Sequence, residues 1–385
     1  MNTHIYCHGG GVCKISINSH TTAGEVVQKL LRGLQMENCR NVFSLFEVSG
    51  QAERALDNRT TVADVLAKFE RRAAEGAGVH PEGRLYFKLY CHLETHTHTL
   101  SHTHTNTHTH PLSHTHTNTH THSEGESSDV HPDSMEFAFM FEQAHEAVIR
   151  GRYPAPVETL QILAALRLQY LLGDYNSQSA LPDLEQLFPV SRLRSRLHAC
   201  TSLSRSNSAS RKRSSFLEGT LRRSLRGRGK TQESQEEAWL EQEVGMLRGS
   251  LQEKWARLEG MSQQAAILKY MSIIREWQGY GCSLFNVQCA DEVYPEDLWL
   301  AVGQENVGVY KRGEAWPLEV LSYELILSFG APHADTLCIS VEERHLLFHT
   351  EQVVDIARLM KTYISLIVKK RVSTCQSIGD HGNQW

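Results

Sequence analysis

Apolar residues in the first 93 positions follow two rhythms. Cys13, Ile15 and Ile17 alternate with Lys14, Ser16 and Asn18, the period of a half-buried strand. Val26, Val27, Leu30, Leu31 and Leu34 then recur as one helical stripe. Thr22 and Glu25, just ahead of that stripe, are spaced as a capping box. Strand-like runs at 42–48 and 85–93 flank a short helix predicted over 61–69. Two strands, a helix and further strands give the order of a ubiquitin-like β-grasp, so residues 1–93 form the first predicted unit. Glycines 9–11 sit at its hairpin, where a positive φ is open to glycine.

The rhythm stops at 94–132. Alternating Thr and His fill this stretch, and it has almost no apolar residue to offset the entropy of ordering. It is predicted to be a disordered insert, of the kind a CA-dinucleotide repeat encodes. Residues 133–278 return to a helical period. Asp133 and Glu136 are placed to cap a helix that carries Phe137, Met140, Phe141, Ala144 and Val148 on one side. Pro156 opens a second helix, apolar on most faces and therefore central, and Gly173 ends it. Leu240, Val244, Leu247, Leu251, Trp255 and Leu258 mark a long amphipathic helix, and Ser262 starts another that ends near Trp277. Inside this helical unit, 199–233 is predicted to be a disordered basic loop. Residues 192–230 hold 12 Lys and Arg against the single acid Glu218, a net +11 within a chain of net −5.

Residues 282–372 change period again. Seven short strand-like runs are followed by a helix over 351–371, the order of a PH/PTB-like β-sandwich closed by a C-terminal helix. Residues 373–385 are predicted to be a disordered tail. The fold class is therefore multidomain α+β.

Composition narrows the function. The 385 residues are 40% hydrophobic and mildly acidic, which excludes a nucleic-acid polycation. Nine scattered cysteines without a CxxC pair fit a reducing, cytoplasmic setting. The N-terminus lacks the basic and apolar regions of a signal peptide, and no run is long enough to span a bilayer. No phosphate-binding loop, nucleophile elbow, HExxH helix or Rossmann glycine run occurs in context. The expectation is a non-enzyme without a cofactor. Half of the 22 histidines fall between His96 and His131, but a flexible run supplies no fixed ligand geometry, so no metal site is assigned.

Longer phrases carry a resemblance. MEFAFMFEQAHEAVIRG, LQILAALRLQYLLGDY, RKRSSFLEGTLRRS, KYMSIIREWQGYGCSLF, LWLAVGQENVGVYKRGE and LMKTYISLIVKKR look like the FERM domain of myosin-X-type unconventional myosin tails. It covers nearly the whole chain apart from the His-Thr stretch and the last dozen residues. The resemblance implies a three-lobed FERM module that binds cytoplasmic tails of membrane receptors, of the integrin β and netrin-receptor types. It also implies a setting at the cytoskeleton, cell cortex and filopodia. Actin would be reached only through a motor region, which this chain does not contain.

Two candidate sites follow. On the closing helix, Val353, Ala357, Met360, Ile364 and Ile367 make a ridge that plugs the sandwich. Leu359, Tyr363 and Leu366 make a second ridge, free to line a cargo groove with Ile326, Leu327, Ser328, Phe329 and Gly330 or to pack against the helical lobe. If it lines the groove, Tyr363→Asp weakens peptide binding and leaves the fold intact. The basic loop is the second candidate: it could hold acidic phospholipids or microtubules, or be a solvated linker. Ser214, Ser215 and Ser224 follow Arg runs, and phosphate there would cancel local charge.

Overall fold

The computed structural model describes residues 1–50, 52–75, 83–93, 130–189, 192 and 232–380, with side chains over 238–372 in the last stretch. Residues 94–129 of the His-Thr stretch, 199–231 of the basic loop and Ser214, Ser215 and Ser224 lie outside the described residues; at the ends of these segments, expected to be disordered, Val130 is buried and Gln232 begins a helix.

The first lobe runs β1 (Asn2–Cys7), β2 (Val12–Ser16), α1 (Ala23–Gly33), β3 (Val42–Ser49), β4 (Ala52–Ala55), α2 (Val62–Glu75) and β5 (Arg84–Cys91). Its sheet has the order β2-β1-β5-β3-β4, with β1 and β5 parallel. Gly9 and Gly10 turn the β1–β2 hairpin at φ +76° and +83°, a region that costs a side chain energy. The capping box is formed: the Thr22 side chain accepts from the Glu25 N–H, and the Glu25 carboxylate accepts from the Thr22 N–H at 2.8 Å. α1 lays Val26, Val27 and Leu30 into a core that holds Ile5, Leu45 and Phe87.

The second lobe contains α3 (Met135–Ile149), α4 (Val157–Leu172), α5 (Gln232–Ala256) and α6 (Gln263–Arg275). α4 is buried on most sides, as its pattern predicts. Trp255 of α5 is fully buried, and its indole N–H donates to Gln169 Oε1 and to the Gly173 carbonyl. Ser134, not Asp133, caps α3, since its side chain accepts from the Phe137 N–H at 3.1 Å. Glu136 is thereby released for another role. Its carboxylate reaches into the first lobe and accepts from the N–H of Arg40, the N–H of Asn41 and the Asn41 side-chain amide. Asn41 Oδ1 in turn accepts from the Leu93 N–H at 2.7 Å. Phe139 packs edge-on against Phe43 and Phe87, so one apolar core runs through both lobes.

The third lobe contains β6 (Ser283–Cys289), β7 (Leu298–Val302), β8 (Asn306–Lys311), β9 (Pro317–Ser322), β10 (Ile326–His333), β11 (Thr336–Val341), β12 (Arg344–His349) and α7 (Val353–Asp380). The strands run β10-β11-β12-β6-β7-β8-β9, which leaves β10 and β9 as the two edges. α7 continues helical to Asp380, past residue 372, so the start of the expected disordered tail is helix. Its alternating apolar turns allow this, with no Gly or Pro before Gly379. Cys91, at the end of β5, is buried in the third lobe's core, and the Trp277 N–H donates to the Ala315 carbonyl. The three lobes thus share core residues.

Two buried histidines make this assembly acid-sensitive. Burial, with Arg167 adding to it, lowers the His145 pKa to about 4; its ring contacts Tyr270 Oη and the Gln186 carbonyl. Burial also lowers His8 to about 4. Both rings stay neutral when folded but titrate near 6.5 when the chain unfolds. The unfolded chain therefore takes up more protons between these values, and stability is lost as pH falls from 6.5 to 4. At roughly 1.4 kcal/mol per pKa unit, each ring contributes up to about 3 kcal/mol. Urea midpoints measured across this window should fall with pH, and His145→Gln should flatten the slope.

Candidate functional site: the edge-strand cleft of the third lobe

β10 pairs with β11 on one side only. Ile326 faces Val341, Ser328 faces Ser340, Phe329 faces Ile339 and Gly330 faces Cys338, with irregular register between Ile326 and Ser328. That irregularity turns Leu327 outward, where it is 70% exposed. Ile326 and Phe329 are half-buried and pack on the sandwich core, Ser328 is exposed, and Gly330 is half-buried. α7 lies beside this strand, with half-buried Leu366 on the same core. Exposed Leu325 precedes the strand, and Arg371 of α7 pairs with Glu324 next to it. An unpaired strand edge next to an apolar helix can take an added strand or an amphipathic helix.

The second ridge of α7 is not what the sequence predicts. Leu359 and Tyr363 are each 1% exposed and belong to the lobe's core. The Tyr363 hydroxyl accepts from the His92 N–H at 3.0 Å, and burial, reinforced by Cys91, raises its pKa. The β5 end of the first lobe covers both residues. A helix wedged between a sandwich and a neighbouring lobe buries two ridges, whereas sequence periodicity assumes one packing face. Ile364 and Ile367, expected to plug the sandwich, are only half-buried. Of the predicted groove residues, the structure brings together Ile326, Leu327, Ser328, Phe329, Gly330 and Leu366, and removes Leu359 and Tyr363. Leu325 was not predicted; its exposure just ahead of β10 is not encoded in any local pattern.

A cavity of about 850 Å³ lies where the three lobes meet. Its walls are charged, but the charges are largely paired across lobes. Lys88 bridges Glu53 and Glu146, Arg150 joins the same two carboxylates, and Arg54 pairs with Asp355 at 3.2 Å. Burial opposes ionisation of Glu53, but Lys88 outweighs it and holds the carboxyl below its usual range. These pairs tie lobes together rather than present a reactive group. Among the described residues no cluster of three or more His, Cys, Asp or Glu is placed to hold a metal, and no helix is long and apolar enough to cross a membrane.

A β-grasp, a helical bundle and a PH-like sandwich with a closing helix define the three-lobed FERM architecture, and this chain has that fold. A profile described as the FERM central domain matches residues 126–285, and one described as an RA-like domain matches residues 1–91. Pleckstrin homology domain-containing family H member 3 of Homo sapiens is 32% identical over 381 residues, covering 94% of this chain and 43% of the relative. The chain therefore spans less than half the length of that relative. Among solved structures, the Dictyostelium discoideum myosin VII MyTH4-FERM MF1 domain superposes with a TM-score of 0.62 at 17% identity, covering 96% of this chain and 60% of that one. The human myosin 7b C-terminal MyTH4-FERM domain, solved with the harmonin-a PDZ3 domain, gives 0.59 at 14%, covering 95% and 60%. These similarities carry the FERM fold and a structural likeness to myosin tails. They do not single out myosin-X.

Proposed function

We propose that this chain is a protein-binding FERM module that takes a short peptide segment in the cleft between β10 and α7. The observation that carries the reading is the free outer edge of β10, with Leu327 exposed beside the apolar rim of α7. The ligand class is a receptor cytoplasmic tail with apolar anchors, of the integrin β or netrin-receptor type that the sequence resemblance implies. Coupling of that cargo to actin-based transport at the cortex or in filopodia needs a motor outside this chain. Leu327→Asp should weaken binding of fluorescent receptor-tail peptides at least about tenfold, near 1.4 kcal/mol, because a charge replaces an anchor. Its melting temperature should match the parent, since the side chain is largely in solvent. Parent-like affinity in this variant would rule the cleft out.

The net +11 of residues 192–230 favours one other reading, a peripheral tether to anionic lipid or microtubules. Deleting residues 200–231 should then abolish salt-sensitive vesicle binding and spare peptide binding.

A further inference from the structure

The five-stranded sheet of the first lobe ends in β4 on one side and β2 on the other. The third lobe takes the β4 end, where the Arg358 guanidinium of α7 donates to the Ala55 carbonyl at 3.1 Å. β2 pairs with β1 alone, in an unbroken register that runs from Ser16 opposite Asn2 to Val12 opposite Tyr6. Hydrogen bonds at both ends fix its phase. The Cys7 N–H donates to the Gly11 carbonyl at 2.7 Å, and the Ile17 N–H donates to the Met1 carbonyl at 2.8 Å. By alternation Cys13 and Ile15 bond toward β1, and Val12, Lys14 and Ser16 turn their N–H and C=O groups to the open side. The Lys29 ammonium of α1 agrees with this phase, since it donates to the Ser16 carbonyl at 3.3 Å. Val12, Lys14 and Ser16 are also the exposed residues of the strand.

The charge at this edge has one sign. The first 24 residues contain no Asp or Glu. Lys14 is exposed with His4 opposite it on β1, and Lys29 is exposed on α1. The first acids after them are already engaged: Glu25 accepts from the Thr22 N–H, and Glu37 pairs with Arg32 at 3.4 Å. Among the described residues, Lys14 and Lys29 pair with no carboxylate. This charge decides what can cover the edge. Two β2 edges would bring the lysines of both copies together, and like charges across a strand pair repel. The basic loop, net +11 over 192–230, is repelled by the same sign.

We propose that β2 takes an added antiparallel strand from a partner protein, an extended segment rich in carboxylates. Its backbone bonds to Val12, Lys14 and Ser16, and the residue opposite Lys14 carries a carboxylate on the same face. The partner's N–H replaces Lys29 at the Ser16 carbonyl, and the released ammonium meets a second carboxylate. Val12, 50% exposed, adds an apolar contact at the end of the strand. The interface is small and charged, so the complex is weak and salt-sensitive. It lies on a different lobe from the β10 cleft and does not depend on it.

Fluorescence polarisation of the full chain with a labelled eight-residue peptide of alternating Glu and Thr tests this, with the Lys-Thr peptide as reference. The Glu peptide should bind and the Lys peptide should not. Lys14→Glu should weaken Glu-peptide binding about tenfold, because an attracting cross-strand pair becomes a repelling one, and should leave receptor-tail binding unchanged. N-methylation of the probe separates strand addition from diffuse attraction. A Glu opposite Lys14 bonds to β2 through its own amide, so methylating the Glu amides should abolish binding and methylating the Thr amides should spare it. Deleting residues 200–231 should spare it too. A Glu peptide that the parent does not bind up to millimolar concentration overturns the proposal. So does binding that survives methylation of the Glu amides, or binding that disappears with the deletion, which would place the probe on the basic loop.

Discussion

Tyr363→Asp should destabilise the chain by more than about 4 kcal/mol and prevent the third lobe from docking on the first. The ring is fully buried in the sandwich core, and its hydroxyl is the acceptor for the His92 N–H. Removing a buried aromatic typically costs about 3–5 kcal/mol, and the aspartate adds a charge with no buried cation to meet it. Tyr363→Phe separates the two effects. It keeps the packing and removes the acceptor, a loss of about 1–3 kcal/mol. Urea denaturation reads both values, and limited proteolysis shows whether the first-to-third lobe contact has opened. A Tyr363→Asp chain that melts like the parent but binds less peptide would restore this residue to the groove.

Glu136→Ala should cost about 2–4 kcal/mol, because it leaves buried amide donors without an acceptor, at about 1–3 kcal/mol each. Three donors converge on this carboxylate, two of them backbone N–H groups of the first lobe. Without it, the Arg40 and Asn41 amides lose their acceptor in a site too enclosed for easy hydration. Glu136→Gln retains one acceptor oxygen and should cost less. Hydrogen exchange at residues 40–41 should speed up in the alanine variant before the second lobe's own helices do. Exchange that rises evenly over the whole chain would mean that Glu136 stabilises its helix rather than the joint.

The lobes were readable in the sequence because each has its own period. Alternation in β2 and the three-four steps of α1 are local facts, as is the Thr22–Glu25 cap. Strand β4, four residues long, has no comparable signal and was missed. The joints were not readable. Glu136 has the look of a helix-start acid, and only the fold shows that Ser134 takes the cap and frees it to cross lobes. The same holds for Tyr363. The spacing of Leu359, Tyr363 and Leu366 announces an apolar ridge but cannot say which neighbour covers it. That residues 326–330 lie on a sheet edge follows from strand order, a property no local pattern in those residues carries.

The stretch between the first two lobes is anchored on both sides. Before it, the Leu93 N–H is held by Asn41 and the His92 N–H by Tyr363; after it, Val130 is buried in the core the two lobes share. Segment length between such fixed posts changes the closure entropy only logarithmically, by about 0.6 kcal/mol per doubling. Gene variants that lengthen or shorten the Thr-His repeat should therefore yield proteins of nearly equal thermal stability. The same position would accept an inserted reporter, such as a fluorescent protein, without disturbing the β10 edge of the sandwich.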